Sequence, residues 1–192
     1  MIINLIFLEY PFCIFESNYI NMETNLKKNS IDLGVKLGTL LFIVTTVIYL
    51  IDIKLFTNFS VMLAYMIPAL AVSIYSVFDA RKIQNWKISF KEAFIAYFLC
   101  IAVGYLIVTI GNIVIFKLID PAAADIIHEE IMIASKEMLE GFGTPSEIIN
   151  ETMNEMQNNH SFSYKAIIQN YANALLRNAI FGLIIAAVLK KS

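Results

Sequence analysis

Four long windows of this chain are almost free of charge, and the polar residues gather between them. The windows cover 34–53, 59–78, 93–119 and 167–189. Each is about the length of the 20 or so apolar residues that an α-helix needs to cross a bilayer. The first has Lys36 close enough to its end to snorkel to the interface. The second carries Pro68 at its centre, which removes the hydrogen bond to the carbonyl of Ala64 and predicts a kink. The third, uncharged as far as Phe116, is long for a core about 30 Å thick and should tilt or protrude. Arg177 interrupts the fourth.

The boundaries carry their own signals. Ser89-Phe90-Lys91-Glu92 has the spacing of a capping box and starts the third span. Asp120 before Pro121 reads as an N-cap with proline at the first helical position, and Gly141 and Gly143 stop the helix that follows. Thr144-Pro145-Ser146-Glu147 repeats the capping pattern. The polar stretch between spans three and four therefore predicts two amphipathic helices, about 121–140 and 145–158. Ile127, Ile131, Ala134 and Met138 recur at helical spacing on the first, and Ile148, Ile149, Thr152, Met153 and Met156 line the second. The expected fold class is an all-α integral membrane protein: four transmembrane helices, with an amphipathic helical hairpin between helices three and four.

Composition supports the membrane class. Of 192 residues, 58% are apolar and 16% charged, against roughly 25% charged in a soluble domain; the mean hydropathy is +0.68. A net charge of −2 and the lack of a basic, aromatic-interleaved patch exclude nucleic acid as a partner. The expected partners are the lipid bilayer, a second copy of the chain, or a membrane or periplasmic protein. Nine lysines and arginines lie at Lys27, Lys28, Lys36, in the 79–92 loop and at Lys190 and Lys191; the opposite side holds Lys54, Lys117, Lys136 and Lys165. The positive-inside rule then puts both termini in the cytoplasm and the 120–165 loop outside. That loop is acidic: residues 120–157 hold nine carboxylates and one lysine. Much of this charge serves solubility, since translocated loops tolerate acids better than bases.

Residues 1–21 read as a doubtful leader. They lack a basic start, contain Pro11 and offer no cleavage site, whereas Met22 opens a polar, basic stretch suited to a true start. Cys13 and Cys100 form neither a disulfide framework nor a metal spacing.

WKISFKEAF before the third span, LIDP at its far end, the methionine-rich acidic helix pair and the closing IIAAVLKK together resemble the membrane family catalogued as domain of unknown function 4199. The resemblance runs from Met22 to Lys191. It implies a small four-span protein of the bacterial cytoplasmic (inner) membrane, typical of the Bacteroidetes group. It brings no activity and no catalytic residue. Arg177 departs from the family's more uniformly apolar last span.

Arg177 is the sharpest candidate for a site, because a charge at membrane depth is costly unless paired or hydrated. With Asn170 and Asn173 it forms a polar strip that would line a wet cavity, where Arg177 binds an anion or pairs with Asp52 or Asp120. The alternative is that Arg177 snorkels to the interface. His128-Glu129-Glu130 lacks the second histidine of a zinc-protease motif, as position 132 is methionine. Met132, Met138, Met153 and Met156 read as packing filler rather than soft-metal ligands. No catalytic set, metal site or cofactor is expected. Gly34 and Gly38, and Gly104 and Gly111, have spacings that permit close helix packing within the bundle or between copies. Three functions remain open: a non-catalytic scaffold or interaction protein using the acidic hairpin, a small oligomeric transporter or channel using the strip around Arg177, and, third, a membrane enzyme or metal binder resting on His128, Glu129 and Glu130.

Overall fold

In the structure, a computed structural model that describes the backbone of residues 3–190 and the side chains of 24–190, every regular element is helical. The order is α1 (Ile3–Ile51), a 3₁₀ turn (Ile53–Thr57), α2 (Phe59–Ile83), α3 (Phe90–Ile113), a π-helical segment (Val114–Ile119), α4 (Pro121–Gly141), α5 (Ser146–Asn158) and α6 (Tyr164–Leu189). The reading of residues 1–21 and of Met22 as the start lies outside the described side chains. Four stretches, Thr24–Ile51, Phe59–Ile83, Phe90–Ile119 and Tyr164–Leu189, are long and apolar enough to cross a membrane, and only 17% to 33% of their apolar windows is buried inside the protein. Large side chains such as Ile43, Leu50, Ile67, Ile184 and Val188 face outward. A soluble protein does not expose apolar surface on this scale; lipid covers it.

Helix α3 is the central helix. α1, α2 and α6 each pack along it, whereas α2 and α6 touch at few positions. The close approach of α1 to α3 rests on glycine. A methyl on Gly34 would meet the Cys100 carbonyl oxygen at 2.7 Å, and one on Gly38 would meet that of Gly104 at 2.7 Å. The small-residue pair thus serves packing within the bundle, as small residues do where helices associate without a hydrophobic driving force. Around α3, Tyr97 and Ile101 join Val77, Ala80 and Ala186 in a core from which water is excluded. The Ser76 hydroxyl donates to the Ala96 carbonyl at 3.0 Å and ties α2 to α3.

The caps at the ends of the spans follow the sequence closely. The Glu92 amide donates to the Ser89 hydroxyl and the Ser89 amide to the Glu92 carboxylate, which completes a capping box. Asp120 accepts from the Ala123 amide at 3.1 Å with Pro121 at the head of α4. Gly143, at φ +69°, ends α4 in a Schellman motif: the Thr144 amide donates to the Leu139 carbonyl, and the Gly143 amide to that of Glu140. The start of α5 differs from expectation. The Pro145 carbonyl takes the first helical bonds, from the Ile148 and Ile149 amides, so Pro145 is the N-cap and Thr144 stands one residue too early to cap; no side chain does so. Pro68 sits inside α2, which continues across it.

The π-helical segment follows α3, and its last bond runs from the Asp120 amide to the Ile115 carbonyl at 2.8 Å, five residues back. Its buried Ile115 and Phe116 meet Ala123, Ala124 and Ile127 of α4, with Phe42, Tyr49 and Phe56 packed against them. Phe116 lies edge-on to Tyr49 and to Phe56, with centroids 5.8 and 5.9 Å apart, a geometry aromatic quadrupoles favour. The apolar face of α4 is therefore used up on the end of the bundle. The two predicted faces are only partly used: Met138 of α4 and Ile148 of α5 are exposed, while Ile149 of α5 is buried.

Candidate functional site

Beneath α4 the bundle forms an open cavity of about 380 Å³. α2, α3 and α6 supply its walls, and Ile131 of α4 with Ser161 and Phe162 forms its roof. Its polar lining comes from Tyr65, Thr109, Asn112, Asn170, Tyr171 and Arg177. Several of these are already held. The Tyr65 hydroxyl lies 2.7 Å from that of Thr45, Thr109 donates to the Tyr105 carbonyl at 2.8 Å, and Tyr171 donates across to the Ala102 carbonyl of α3 at 3.1 Å. The other three are not held among the described residues, Asn170 being one of them. The buried Asn112 side-chain oxygen has no hydrogen-bond partner. The exposed Arg177 has no hydrogen bond or ion pair among the described residues.

Arg177 sits near the middle of α6, 13 residues from Tyr164 and 12 from Leu189. At 1.5 Å per residue that is about 20 Å from either end of the helix. It borders the cavity, and also a second one of about 340 Å³ that Met62, Met66 and Leu70 of α2 and Phe181 of α6 line. Arg177 thus borders both cavities while remaining exposed.

The other expected members of the strip separate. Asn170 lines the first cavity with Arg177, but Asn173 does not. At roughly 100° per residue, positions 170, 174 and 177 fall on one narrow face of α6 and 173 on its flank. Neither acidic candidate reaches Arg177. Asp120 caps α4 and accepts from the Tyr49 hydroxyl at 2.9 Å, and Asp52 caps the 3₁₀ turn through the Lys54 amide. Asn112 was the member that sequence reasoning missed, although an amide in the long uncharged third span was a visible signal.

The roof is pinned by two histidines far apart in sequence. The His128 and His160 rings lie 4.4 Å apart. His128 Nδ1 accepts from the Ser161 amide at 3.2 Å and lies 2.8 Å from its hydroxyl. His160 Nδ1 accepts from the Phe162 amide at 3.1 Å, while its Nε2 faces Asp125 at 3.1 Å. A nitrogen that accepts carries no proton, so this arrangement suits the His128 tautomer with its proton on Nε2. Burial and then His160 hold the His128 imidazole below its usual value, against the Met156 carbonyl, Asp125 and Glu129. Lys54 adds an ion pair to Glu130 at 3.1 Å, which raises the lysine. No group of three or more metal-capable side chains gathers among the described residues, and Cys100 is buried.

No curated protein and no solved structure matches the chain. A family model does, over residues 32–191, which is well over half of the chain. That family is described as protein of unknown function (DUF4199), and the chain belongs to it.

Proposed function

We propose that this membrane protein binds an anionic ligand in the polar cavity around Arg177, as a small transporter or carrier does, with α4 and its neighbouring turn as the lid. The observation that carries this reading is an unpaired guanidinium beside two cavities, about 20 Å from either helix end. A charge at that depth is costly unless something neutralises or hydrates it. The charge bias along the chain supports cytoplasmic termini, a cytoplasmic 79–92 loop and an extracytoplasmic α4–α5 pair, so the lid would face outward. The acidic residues then keep an exposed lid soluble.

The test is calorimetric titration of the detergent-purified full chain with butyl phosphate. Arg177→Leu should weaken binding about tenfold or more, as expected when a charge-assisted hydrogen bond is lost, whereas Lys165→Ala should leave it unchanged. Absence of binding to the unaltered chain, or equal binding by Arg177→Leu, ends this reading. A second reading, docking of a protein partner on the acidic pair, draws on exposed Met138, Phe142 and Ile148 around the α4–α5 turn. Crosslinking in membranes, with residues 122–160 replaced by a polar linker as control, addresses it; a crosslinked partner that survives the replacement removes it.

A further inference from the structure

The two cavities that meet at Arg177 differ in character, and the difference specifies a ligand. Both are bordered by Tyr65, Tyr105 and Arg177. The larger sets hydroxyls and amides among apolar side chains such as Ile131, Phe162 and Ile167. The smaller runs between α2 and α6 along Met62, Met66, Leu70 and Phe181. These helices touch at few positions, and Met62, Met66 and Phe181 are half exposed on the surface that lipid covers. The smaller cavity is thus a seam in the side of the bundle, and the larger is a more open chamber beside it that shares Arg177.

We infer that the ligand is an anionic phospholipid, which enters sideways between α2 and α6, sets its head in the chamber at Arg177 and leaves an acyl chain in the seam. This rests on the anion-binding reading above and names the chemical class. Each part of the ligand answers a group. A phosphate oxygen accepts from the Arg177 guanidinium, for which a fork of donors suits bidentate recognition. The seam accepts a chain along Met62, Met66, Leu70 and Phe181, and its Asn178 amide is already held by the Ala174 carbonyl at 2.8 Å. A chain moving from bilayer to seam gains no hydrophobic energy, since lipid tails are as apolar as the lining. Selectivity therefore resides in the head, and the seam supplies access. The cavities, at about 380 and 340 Å³, each fall within the range of about 300 to 1,000 Å³ usual for ligand sites.

The experiment uses the full chain in detergent, offered equal amounts of dioleoyl phosphatidylglycerol and dioleoyl phosphatidylcholine, with retained lipid counted by native mass spectrometry. The unaltered chain should retain phosphatidylglycerol in preference, and Arg177→Leu should abolish the preference. Leu70→Trp fills the seam and should cut retention about tenfold, while butyl phosphate binding stays within about twofold, because its short chain fits the chamber. Met66→Trp, at a half-exposed position that tolerates bulk, repeats the test should Leu70→Trp fail to fold. Phosphatidylglycerol retained no better than phosphatidylcholine, or retained equally by both tryptophan variants, overturns the lipid inference; Arg177-dependent binding of butyl phosphate would then leave the anion reading standing. If the unaltered chain binds neither probe, both fall.

Discussion

Gly38→Ala tests the packing that holds the cavity walls together. The added methyl carbon would lie 2.7 Å from the Gly104 carbonyl oxygen and 2.8 Å from Ile107 Cβ, where ordinary contact begins at 3.4 Å. Both obstacles are fixed to the α3 backbone, so no rotamer change relieves them, and α1 must retreat by roughly 0.6 Å. That movement loosens the longest helix–helix seam in the molecule. Overpacking of this kind costs about 1–3 kcal/mol. A value of ~2 kcal/mol lowers the ratio of folded to unfolded protein about 30-fold. Gly34 lies one turn away and meets Cys100 and Val103 in the same manner. A single retreat of α1 serves both sites, so Gly34→Ala with Gly38→Ala should cost less than the sum of the two. The assay is reversible unfolding in mixed micelles of increasing dodecyl sulfate fraction, followed by circular dichroism. Gly141→Ala is the control: nothing lies within 4 Å of its added methyl, and alanine's better helix propensity should stabilise by up to about 1 kcal/mol. The reasoning is refuted if Gly38→Ala unfolds at the same dodecyl sulfate fraction as the unaltered chain.

Two further outcomes concern the lid. His128 has a depressed imidazole pKa, so its neutral form is the one the fold favours. Its contribution is complete above the ordinary value of 6.5 and is lost as the pH falls below that value through the folded one. Melting scans from pH 8 to pH 5 should show a loss of stability that His128→Gln flattens; parallel curves would count against the pin. Asp120→Ala removes a cap and the acceptor of the Tyr49 hydroxyl, at a cost of about 2 kcal/mol. Faster hydrogen exchange in the first turn of α4 reports it, and unchanged exchange there would show that the cap holds nothing.

The spans and most caps were legible because they depend on local chemistry. Twenty apolar residues announce a crossing wherever they stand, and Ser89, Asp120 and Gly143 act within one turn of themselves. The start of α5 was misread for a similarly local reason: the proline carbonyl, rather than the threonine side chain, begins the helix. The site was harder to read. The polar strip at 170, 173 and 177 pointed to the right helix, but which of its faces meets the cavity depends on how α6 packs on α3. The expected pairing of Arg177 with Asp52 or Asp120 assumed nearness from similar depth, yet each carboxylate is engaged at its own helix start. His128 and His160 are 32 residues apart in the sequence. Only the return of the chain from α5 into α6 brings their rings together, and no periodicity encodes that return.

The π-helical turn at 114–119 has a consequence for chain length. A widened turn accommodates one residue more than a regular helix over the same rise, and that residue rotates everything after it by roughly 100°. The aim of Asp120 at Tyr49, and with it the seating of α4, therefore depends on a count of residues as much as on their identity. Removing any one residue from this segment would restore a regular helix and swing the lid about a quarter-turn off its seat. Exchanging its lipid-facing apolar side chains for others would leave the lid in place. Apart from the buried Ile115 and Phe116, the segment is a spacer whose length constrains it more than the identity of its apolar side chains.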